Sequence, residues 1–300
     1  MNQFQAWIMA ARPRTLPLAL ASIGMGAFLA ASASQFSWEV LALSALTTIF
    51  LQILSNLAND YGDSIHGADS IDREGPSRAV QSGYISPQAM KKAMVLFALL
   101  SLGSGIWLLL TALSGNQLLL LLFLVLGILA IFAAITYTSG SRPYGYAGLG
   151  DISVLIFFGL VGVLGSYFLH TGQLSQEHLL PALSCGLFST AVLNVNNIRD
   201  IRTDEAAGKR SIPVRLGRNK AVTYHWLLLS LGVACSVLYV LFRFESWWQF
   251  LFLLTLPLLI RNGQAVAQKK NARDLDPYLK QMALTTLLYV LTFGMGQLIS

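Results

Sequence analysis

The sequence predicts an all-α membrane protein, a polytopic bundle of about nine transmembrane helices. Hydrophobic residues make up 55% of the 300-residue chain, and charged residues only 11%, against roughly 25% in soluble domains. So few charges could not cover the surface of a soluble protein of this size. The apolar residues also form runs of the length that crosses a bilayer, which is about 20 residues. We therefore expect one membrane domain over residues 1–300, with the lipid bilayer as its solvent.

Nine apolar runs are candidate membrane spans. Their approximate bounds are 15–33, 39–58, 93–113, 117–137, 150–170, 178–198, 221–241, 246–261 and 282–299. The eighth run is short, so a bundle of eight spans is the alternative. The runs are separated by polar segments, and no second domain is indicated between them.

The positions of Lys and Arg predict the orientation, because cytoplasmic loops of membrane proteins carry an excess of basic residues. With nine spans and a cytoplasmic N-terminus, 19 of the 20 basic residues lie inside and only Arg243 lies outside. The inner segments 59–92 and 199–220 are also long and rich in both charges. Any chemistry is therefore expected on the cytoplasmic side.

Composition and spacing also exclude several kinds of site. The basic residues form no stripe with interleaved aromatic side chains, which argues against nucleic acid as a partner. Cys185 and Cys235 lie inside apolar runs without the spacing of a zinc site or a redox pair. No obligate protein partner is indicated.

Two polar motifs stand out at the ends of apolar runs. Asn56, Asp60 and Asp63 lie at the end of the second helix with spacing i, i+4, i+7, which places them on one helical face. Both helices that carry such motifs run from outside to inside, so both motifs are expected at the same, water-facing membrane surface. The first motif region covers 56–69.

The second motif covers 196–204 and has the same character. Asn196, Asp200 and Asp204 are spaced i, i+4, i+8 at the end of the sixth run. The two motifs start 140 residues apart, which indicates a weak internal repeat with two related halves. Clustered carboxylates and amides are hard oxygen ligands, and the predicted cofactor is therefore Mg²⁺, which binds one or two carboxylates together with water and phosphate.

Nearby basic residues would complete a site for a diphosphate. The candidates are Arg78 in G-P-S-R, Arg142 in S-R-P-Y-G-Y and Lys209 in A-G-K-R. A phosphate-binding loop of the G-x-x-x-x-G-K-[ST] type is absent from the sequence, so nucleotide chemistry is not indicated. For the basic residues of 209–220 other than Lys209, the alternative interpretation is that they only enforce the membrane orientation.

Together these features resemble the UbiA superfamily of intramembrane aromatic prenyltransferases, over nearly the whole chain. That family has nine transmembrane helices around a central cavity and two Asn/Asp-rich motifs on the cytoplasmic side. The second motif fits its N-x-x-x-D-x-x-x-D pattern. The first departs from it, because Ser64 stands at the third position. Either Asp63 or Asp69 would then act as the third metal ligand of the first motif.

Several strings resemble the branch of the family that prenylates 1,4-dihydroxy-2-naphthoate in menaquinone biosynthesis. They are N-L-A-N-D-Y-G-D, G-P-S-R, R-P-Y-G-Y-A-G-L-G-D and N-N-I-R-D-I-R-T-D. The resemblance implies transfer of a polyprenyl chain from polyprenyl diphosphate to that acceptor, in a bacterial inner membrane. It implies that the motif carboxylates bind Mg²⁺, while Asn56, Asn196 and the three basic residues bind the diphosphate.

The resemblance also implies that an allylic cation forms, which Tyr137 or Tyr146 would shield by cation–π contact. Tyrosines at a helix end are equally typical of an interfacial aromatic belt. Two other functions fit the sequence less well. One is a prenyltransferase for another acceptor, such as 4-hydroxybenzoate or haem. The other is a repeat-built transporter, whose polar residues usually lie near the bilayer midplane.

Overall fold

The computed structural model describes residues 2–66 and 78–300, and the regular elements in those ranges are helices, as predicted. In the N-terminal half they are α1 (Gln3–Ala11), α2 (Leu16–Ser32), α3 (Trp38–Ile65), α4 (Pro87–Ala112) and α5 (Gln117–Thr136). They continue with α6 (Gly150–Val154), a π-helical segment (Leu155–Leu164), α7 (Gly165–Thr171), α8 (Leu179–Arg199), α9 (Ile201–Ala206) and α10 (Ile212–Leu216). The last are α11 (Arg218–Phe242), a 3₁₀ segment (Trp247–Thr255), α12 (Leu256–Gln268) and α13 (Ala272–Leu298).

Local sequence signals explain where several of these helices begin. The Ser37 hydroxyl accepts a hydrogen bond from the backbone N–H of Val40, and Asn116 caps α5 in the same way through Leu119. Ser86 caps α4, whose first residue is Pro87, the position at which a missing N–H costs nothing. These caps satisfy backbone donors that the helix itself leaves unpaired.

Eight helical segments of the described chain are long and apolar enough to cross a membrane. They match the first eight predicted spans in order, although the ends differ. The ninth predicted span, 282–299, corresponds to the C-terminal part of α13, which has 27 residues but is not among those eight segments. The predicted count of about nine therefore describes the bundle approximately. The interpretation as one domain of two related halves stays a prediction.

The helices enclose a cavity of about 440 Å³. Its walls come from α2, α3, α4, α5, the π-helical segment and α8, so the predicted central cavity is present. On α3 its lining extends from Ser44 to Asp63, which is a rise of roughly 28 Å at 1.5 Å per residue. The cavity therefore extends along most of α3 to the polar C-terminal ends of α3 and α8.

Candidate active site at the cavity mouth

The C-terminal ends of α3 and α8 open on the same cavity. Asn56 and Asp63 of the first motif line it, as do Asn196 of the second motif and Lys209. The Lys209 ammonium interacts electrostatically with Asp63 and with Asp200, which belong to different motifs. The structure thus brings together two motifs that begin 140 residues apart. We call this region the cavity mouth.

Asp60 is bound by the backbone of the segment that follows Arg78. Its Oδ2 accepts a hydrogen bond from the Ala79 N–H and its Oδ1 one from the Val80 N–H, each at 3.0 Å. The side chain is only 2% exposed. The Asp60 carboxylate itself is therefore buried, because the chain after Arg78 covers the end of α3. A metal-binding role for Asp60 stays a prediction, and its contacts give it an additional structural role.

Asp63 is held by two residues that the sequence singles out independently. The Arg78 Nη2 donates to Asp63 Oδ2 at 2.8 Å, and the Tyr146 hydroxyl donates to Oδ1 at 3.0 Å. Both Asp63 and Arg78 are buried and line the cavity. Asp69, the alternative third ligand of the first motif, lies outside the described residues.

Asn56 binds the connection between α1 and α2. Its Nδ2 donates to the Ala11 carbonyl at 2.8 Å and to the Thr15 hydroxyl at 2.9 Å. The Thr15 hydroxyl in turn donates to the Arg12 carbonyl at 2.9 Å. Arg12 has a φ of 49°, a left-handed conformation that is uncommon for a residue with a side chain. Asn56 therefore supports an unusual backbone turn, besides lining the cavity as predicted.

That turn presents a basic residue that sequence reasoning missed. Arg12 lines the cavity, and its charge acts on the Asp60 carboxylate. The sequence analysis counts Arg12 only as a cytoplasmic basic residue. The signal that marks it is the following Pro13, because a residue before proline is disfavoured in the helical conformation. A break in the helix at this point lets the side chain turn towards the cavity mouth.

The second motif is paired with the neighbouring Arg199. The Arg199 Nε and Nη2 donate to the two oxygens of Asp200, both at 2.7 Å, and Nη2 also donates to Asn196 Oδ1 at 2.9 Å. The Arg199 Nη1 donates to Asp276 on α13 at 2.7 Å, and Arg14 binds the other Asp276 oxygen at 3.3 Å. Arg199 and Asp276 thus join the predicted set, although sequence spacing does not select them.

Asp204 forms the third acidic position and contacts Lys209. The Lys209 Nζ donates to Asp204 Oδ1 at 3.2 Å, whereas Asp204 Oδ2 is buried and accepts no hydrogen bond from the described residues. Burial raises the pKa of the Asp204 carboxyl to about 6, and the nearby Lys209 limits the rise. A buried carboxylate oxygen without a donor is a position at which a cation would be stabilised.

The aromatic candidates occupy different positions. Tyr137 lines the cavity, and its ring meets that of Tyr144 edge to face at 5.3 Å. Glycines make room for it, since a Cβ at Gly150 would lie 2.7 Å from the Tyr137 hydroxyl and one at Gly145 would lie 3.0 Å from its ring. Tyr146 instead acts on Asp63, as described above. Tyr137 is therefore the better placed of the two to shield a cation inside the cavity.

The three predicted diphosphate-binding cations are not equivalent. Arg78 and Lys209 are buried and line the cavity. Arg142 is exposed and is absent from the described cavity lining. The geometry gives no support to the predicted role of Arg142, which stays a prediction.

The donor set fits a magnesium ion that shares its coordination with a substrate. Across residues 2–66 and 78–300, no group of three carboxylate, histidine or cysteine side chains could bind a metal ion by itself. Mg²⁺ rarely requires such a group, because water and phosphate oxygens usually complete its coordination. The unpaired oxygen of Asp204, which lies near enough to Asp200 and Asp63 for their charges to act on it, is where the described residues fit the ion best.

Comparison with known sequences gives consistent matches. The profile of the UbiA prenyltransferase family matches residues 19–290. A protein of Haemophilus influenzae named 1,4-dihydroxy-2-naphthoate octaprenyltransferase is 46% identical over 99% of this chain and 97% of its own length. The protein of the same name from Escherichia coli is also 46% identical, with the same coverage of both chains.

Solved structures match the fold at low sequence identity. The apo structure of a UbiA homologue from Aeropyrum pernix has a TM-score of 0.68 at 18% identity and covers 96% of this chain and 98% of its own. A UbiA homologue from Archaeoglobus fulgidus, bound to GPP and Mg²⁺, has a TM-score of 0.66 at 16% identity, with 98% and 100% covered. These two likenesses concern the fold alone.

Proposed function

Because the chain belongs to the UbiA prenyltransferase family, we propose that it transfers a polyprenyl chain from polyprenyl diphosphate to 1,4-dihydroxy-2-naphthoate. The reaction releases diphosphate and CO₂ and gives demethylmenaquinol, a step of menaquinone biosynthesis. One observation carries the choice of substrates: relatives named for this activity are 46% identical over 99% of the chain. The cavity supports it, because acidic and basic groups meet at its mouth while its deeper walls are mostly apolar.

The residues of the cavity mouth suit the departure of a diphosphate. Negative charge accumulates on the leaving oxygen as the allylic C–O bond breaks, so fixed positive charges stabilise that transition state. Arg78 and Lys209 are buried at the mouth, and Arg12 lines the same space. Burial alone would lower the pKa of the Lys209 amine, but the carboxylates of Asp204 and Asp63 raise it above its ordinary value. Lys209 is therefore charged at neutral pH.

The deeper cavity suits the prenyl chain and the cation that forms from it. Water must be excluded, because it would trap an allylic cation before the aromatic acceptor reacts. The walls contributed by α5 and the π-helical segment are apolar, with Phe123 and Phe157 among their residues. The Tyr137 ring, fixed by Gly145 and Gly150, can shield the cation by cation–π contact.

Mg²⁺ is the proposed cofactor, and when bound it would neutralise charge on the diphosphate. Asp63 and Asp204 are the best placed to hold it, and Asp60 and Asp200 are the further candidates. Structures of the A. fulgidus homologue with Mg²⁺ or Cd²⁺ support the use of a divalent ion in this fold. The acidic residues would also keep the ion at the cavity mouth, away from the lipid.

We further propose a bacterial inner membrane as the location, with the N-terminus and the cavity mouth on the cytoplasmic side. The 19 to 1 distribution of basic residues supports this orientation. Both motifs then open to the compartment that supplies water-soluble acceptor and Mg²⁺, while the prenyl chain stays within the bilayer.

The first experiment is an assay of the purified protein in lipid nanodiscs with a polyprenyl diphosphate. The acceptors are 1,4-dihydroxy-2-naphthoate and 4-hydroxybenzoate, each tested with Mg²⁺ and with EDTA. We expect prenylated and decarboxylated naphthoate in the presence of Mg²⁺. EDTA should reduce the rate by at least about 100-fold, because charge on the leaving group is then uncompensated.

Two outcomes would contradict the proposal. Prenylation of 4-hydroxybenzoate but not of the naphthoate would place the protein in another branch of the family. Full activity in EDTA would remove the role proposed for the acidic residues. Restoration of activity by added Mg²⁺ is the control for damage by the chelator.

A further inference from the structure

One side chain on the cavity wall has no place in the site described so far. The cavity face of α8 includes Ser189, Leu193, Asn196 and Asn197, which recur at helical spacing. Asn197 is only 2% exposed, and its Oδ1 accepts no hydrogen bond from any described residue. Buried amides are ordinarily paired, so an unpaired one on a cavity wall indicates a partner that enters the cavity.

The other asparagines of α8 are different. The Asn194 Nδ2 donates to the Ala221 carbonyl of α11 at 3.2 Å, which joins two helices. The Asn194 Oδ1 is also buried without a donor among the described residues, but Asn194 is not part of the described cavity lining. The Asn196 Oδ1 accepts from Arg199 at 2.9 Å and belongs to the second acidic motif. Asn197 takes part in neither arrangement. The general polarity of this helix therefore does not explain it.

The position of Asn197 along the axis of α8 indicates which part of a substrate it would meet. Asp200, at the mouth, lies three residues further along, which is a rise of roughly 4.5 Å, and Leu193 lies roughly 6 Å deeper. Leu193 and the Tyr137 hydroxyl both approach Gly150, so Tyr137 marks that deeper level. Asn197 thus lies between the charged groups of the mouth and the ring proposed to shield the cation.

The reacting carbon of the prenyl diphosphate must occupy the same level. This carbon is bonded directly to a diphosphate oxygen, so it lies just below the charged groups. The acceptor ring has to approach it within about 3–3.5 Å for a bond to form. At this level the unpaired Asn197 amide can meet the acceptor, whereas the Asn196 side chain, although one residue deeper along α8, is bonded back to Arg199 at the mouth.

We propose that Asn197 binds the aromatic acceptor by a hydrogen bond to one of its ring hydroxyls. The inference rests on the proposed function, which supplies a dihydroxylated acceptor. Rotation of the amide about its last bond can present either its oxygen or its NH₂ group to the hydroxyl. The bond orients the ring over the allylic carbon and favours acceptors that carry a hydroxyl, because an acceptor without one leaves the buried amide unpaired.

The experiment compares Asn197→Leu with the matched variant Asn194→Leu, in which the same change is made three residues away. For each we would measure KM for 1,4-dihydroxy-2-naphthoate, KM for the prenyl diphosphate and the midpoint of thermal unfolding. Asn197→Leu should raise the acceptor KM about tenfold, which is the effect of losing about 1.4 kcal/mol. Its KM for the prenyl diphosphate should not change.

The unfolding midpoint separates binding from a structural role. Leu has the same branching and the same number of side-chain heavy atoms as Asn, and it leaves no unpaired amide. Asn197→Leu should therefore unfold near the wild-type temperature or above it. Asn194→Leu should unfold at a lower temperature and keep the wild-type acceptor KM. If Asn197→Leu does not fold, Asn197→Ser is measured instead, with the same expected rise in acceptor KM.

The inference is overturned if the wild type is active and the acceptor KM of Asn197→Leu is unchanged. It is also overturned if that variant loses stability while keeping both KM values, because Asn197 would then be structural. A wild-type protein that never prenylates the naphthoate would overturn the proposed function, and the inference with it. Quenching of tryptophan fluorescence by the acceptor alone provides a binding measurement that is independent of turnover.

Discussion

At the scale of single residues, the Asp200 carboxylate is subject to two competing interactions. Arg199 binds both of its oxygens at 2.7 Å, whereas a metal ion would need at least one of them. The same arginine binds Asp276, which also contacts Arg14. Asp276 therefore offers Arg199 a second anionic partner and makes it easier for Asp200 to bind a metal ion.

We expect Asp276→Asn to raise the Mg²⁺ concentration needed for half-maximal activity. Without the charge of Asp276, Arg199 is attracted more strongly to Asp200 and competes better with the ion. A charged hydrogen bond of about 1.4 kcal/mol corresponds to an increase of about tenfold. The measurement is the rate of prenyl transfer as a function of Mg²⁺ concentration.

Asp274→Asn is the matched control, because Asp274 is an exposed carboxylate of the same helix that contacts only the nearby Asn271 among the hydrogen bonds described. It should keep the wild-type Mg²⁺ requirement. Equal requirements for the wild type and Asp276→Asn would mean that Arg199 does not compete with the ion.

At this scale, the sequence identifies only those functional residues whose chemistry differs from that of their neighbours in the chain. Asp60 and Asp200 are conspicuous because carboxylates are rare near the ends of apolar helices. Their hydrogen-bond partners could not be predicted. Asp60 is paired with backbone amides about twenty positions away, and Arg14 with an aspartate 262 positions away. Such pairs depend on how helices are arranged, which local spacing does not encode.

At the scale of elements, the C-terminal end of α3 is held by close packing on residues 138–139. The Thr138 and Ser139 hydroxyls both donate to the Ala58 carbonyl, at 3.0 and 3.2 Å. Gly62 permits this approach, since a Cβ there would lie 2.4 Å from the Thr138 carbonyl oxygen. The contact fixes the helical turn that carries Asp63.

Gly62→Ala should therefore lower both stability and activity. The added methyl group must displace backbone atoms, and overpacking of this kind costs about 1–3 kcal/mol. Because Asp63 follows directly, its position relative to Arg78 and Lys209 should also change. Thermal unfolding in detergent and the rate of prenyl transfer are the two measurements.

Gly103→Ala on α4 is the comparison, because a Cβ at Gly103 meets no atom within 4 Å. Alanine also has the higher helix propensity, so this variant should be as stable as the wild type or more so. An unfolding midpoint for Gly62→Ala equal to that of Gly103→Ala would show that α3 can move away from residues 138–139 without cost.

The ends of the elements follow from the sequence more closely than their internal geometry. The second apolar run ends at 58, yet α3 continues to Ile65, as the i, i+4, i+7 spacing of its polar residues indicates. Nothing in the sequence indicated the π-helical segment Leu155–Leu164. It lines the cavity, and its geometry depends on neighbours such as α8, against which it packs.

At the scale of the whole molecule, the two chain termini lie on the same side or on opposite sides of the membrane according to whether α13 crosses it. If α13 crosses the membrane together with the eight more apolar segments, the termini lie on opposite sides. The Thr285 and Thr286 side chains are buried inside the bundle, so α13 needs fewer lipid-facing apolar residues than an outer helix. This explains how it can cross the membrane with a more polar composition.

We expect reporter fusions after Ser300 and within 199–220 to lie on opposite sides of the membrane. A periplasmic phosphatase should be active only at Ser300, and green fluorescent protein should be fluorescent only within 199–220. The reason is that segment 199–220 is rich in Lys and Arg, whereas the predicted outer loops contain almost none. Both fusions reporting the same side would rule out the nine-span topology.

The sequence by itself determined that this protein lies in a membrane, the order of its helices and the positions of the two acidic motifs. These properties follow from composition and helical period, which act over a few turns of chain. The tertiary structure decided which charges meet. It brought Lys209 to both motifs, placed Arg12 at the cavity and Arg142 on the surface, and covered Asp60. Those outcomes depend on packing between distant helices, because only packing fixes the distance and the burial of two charges that the chain keeps far apart.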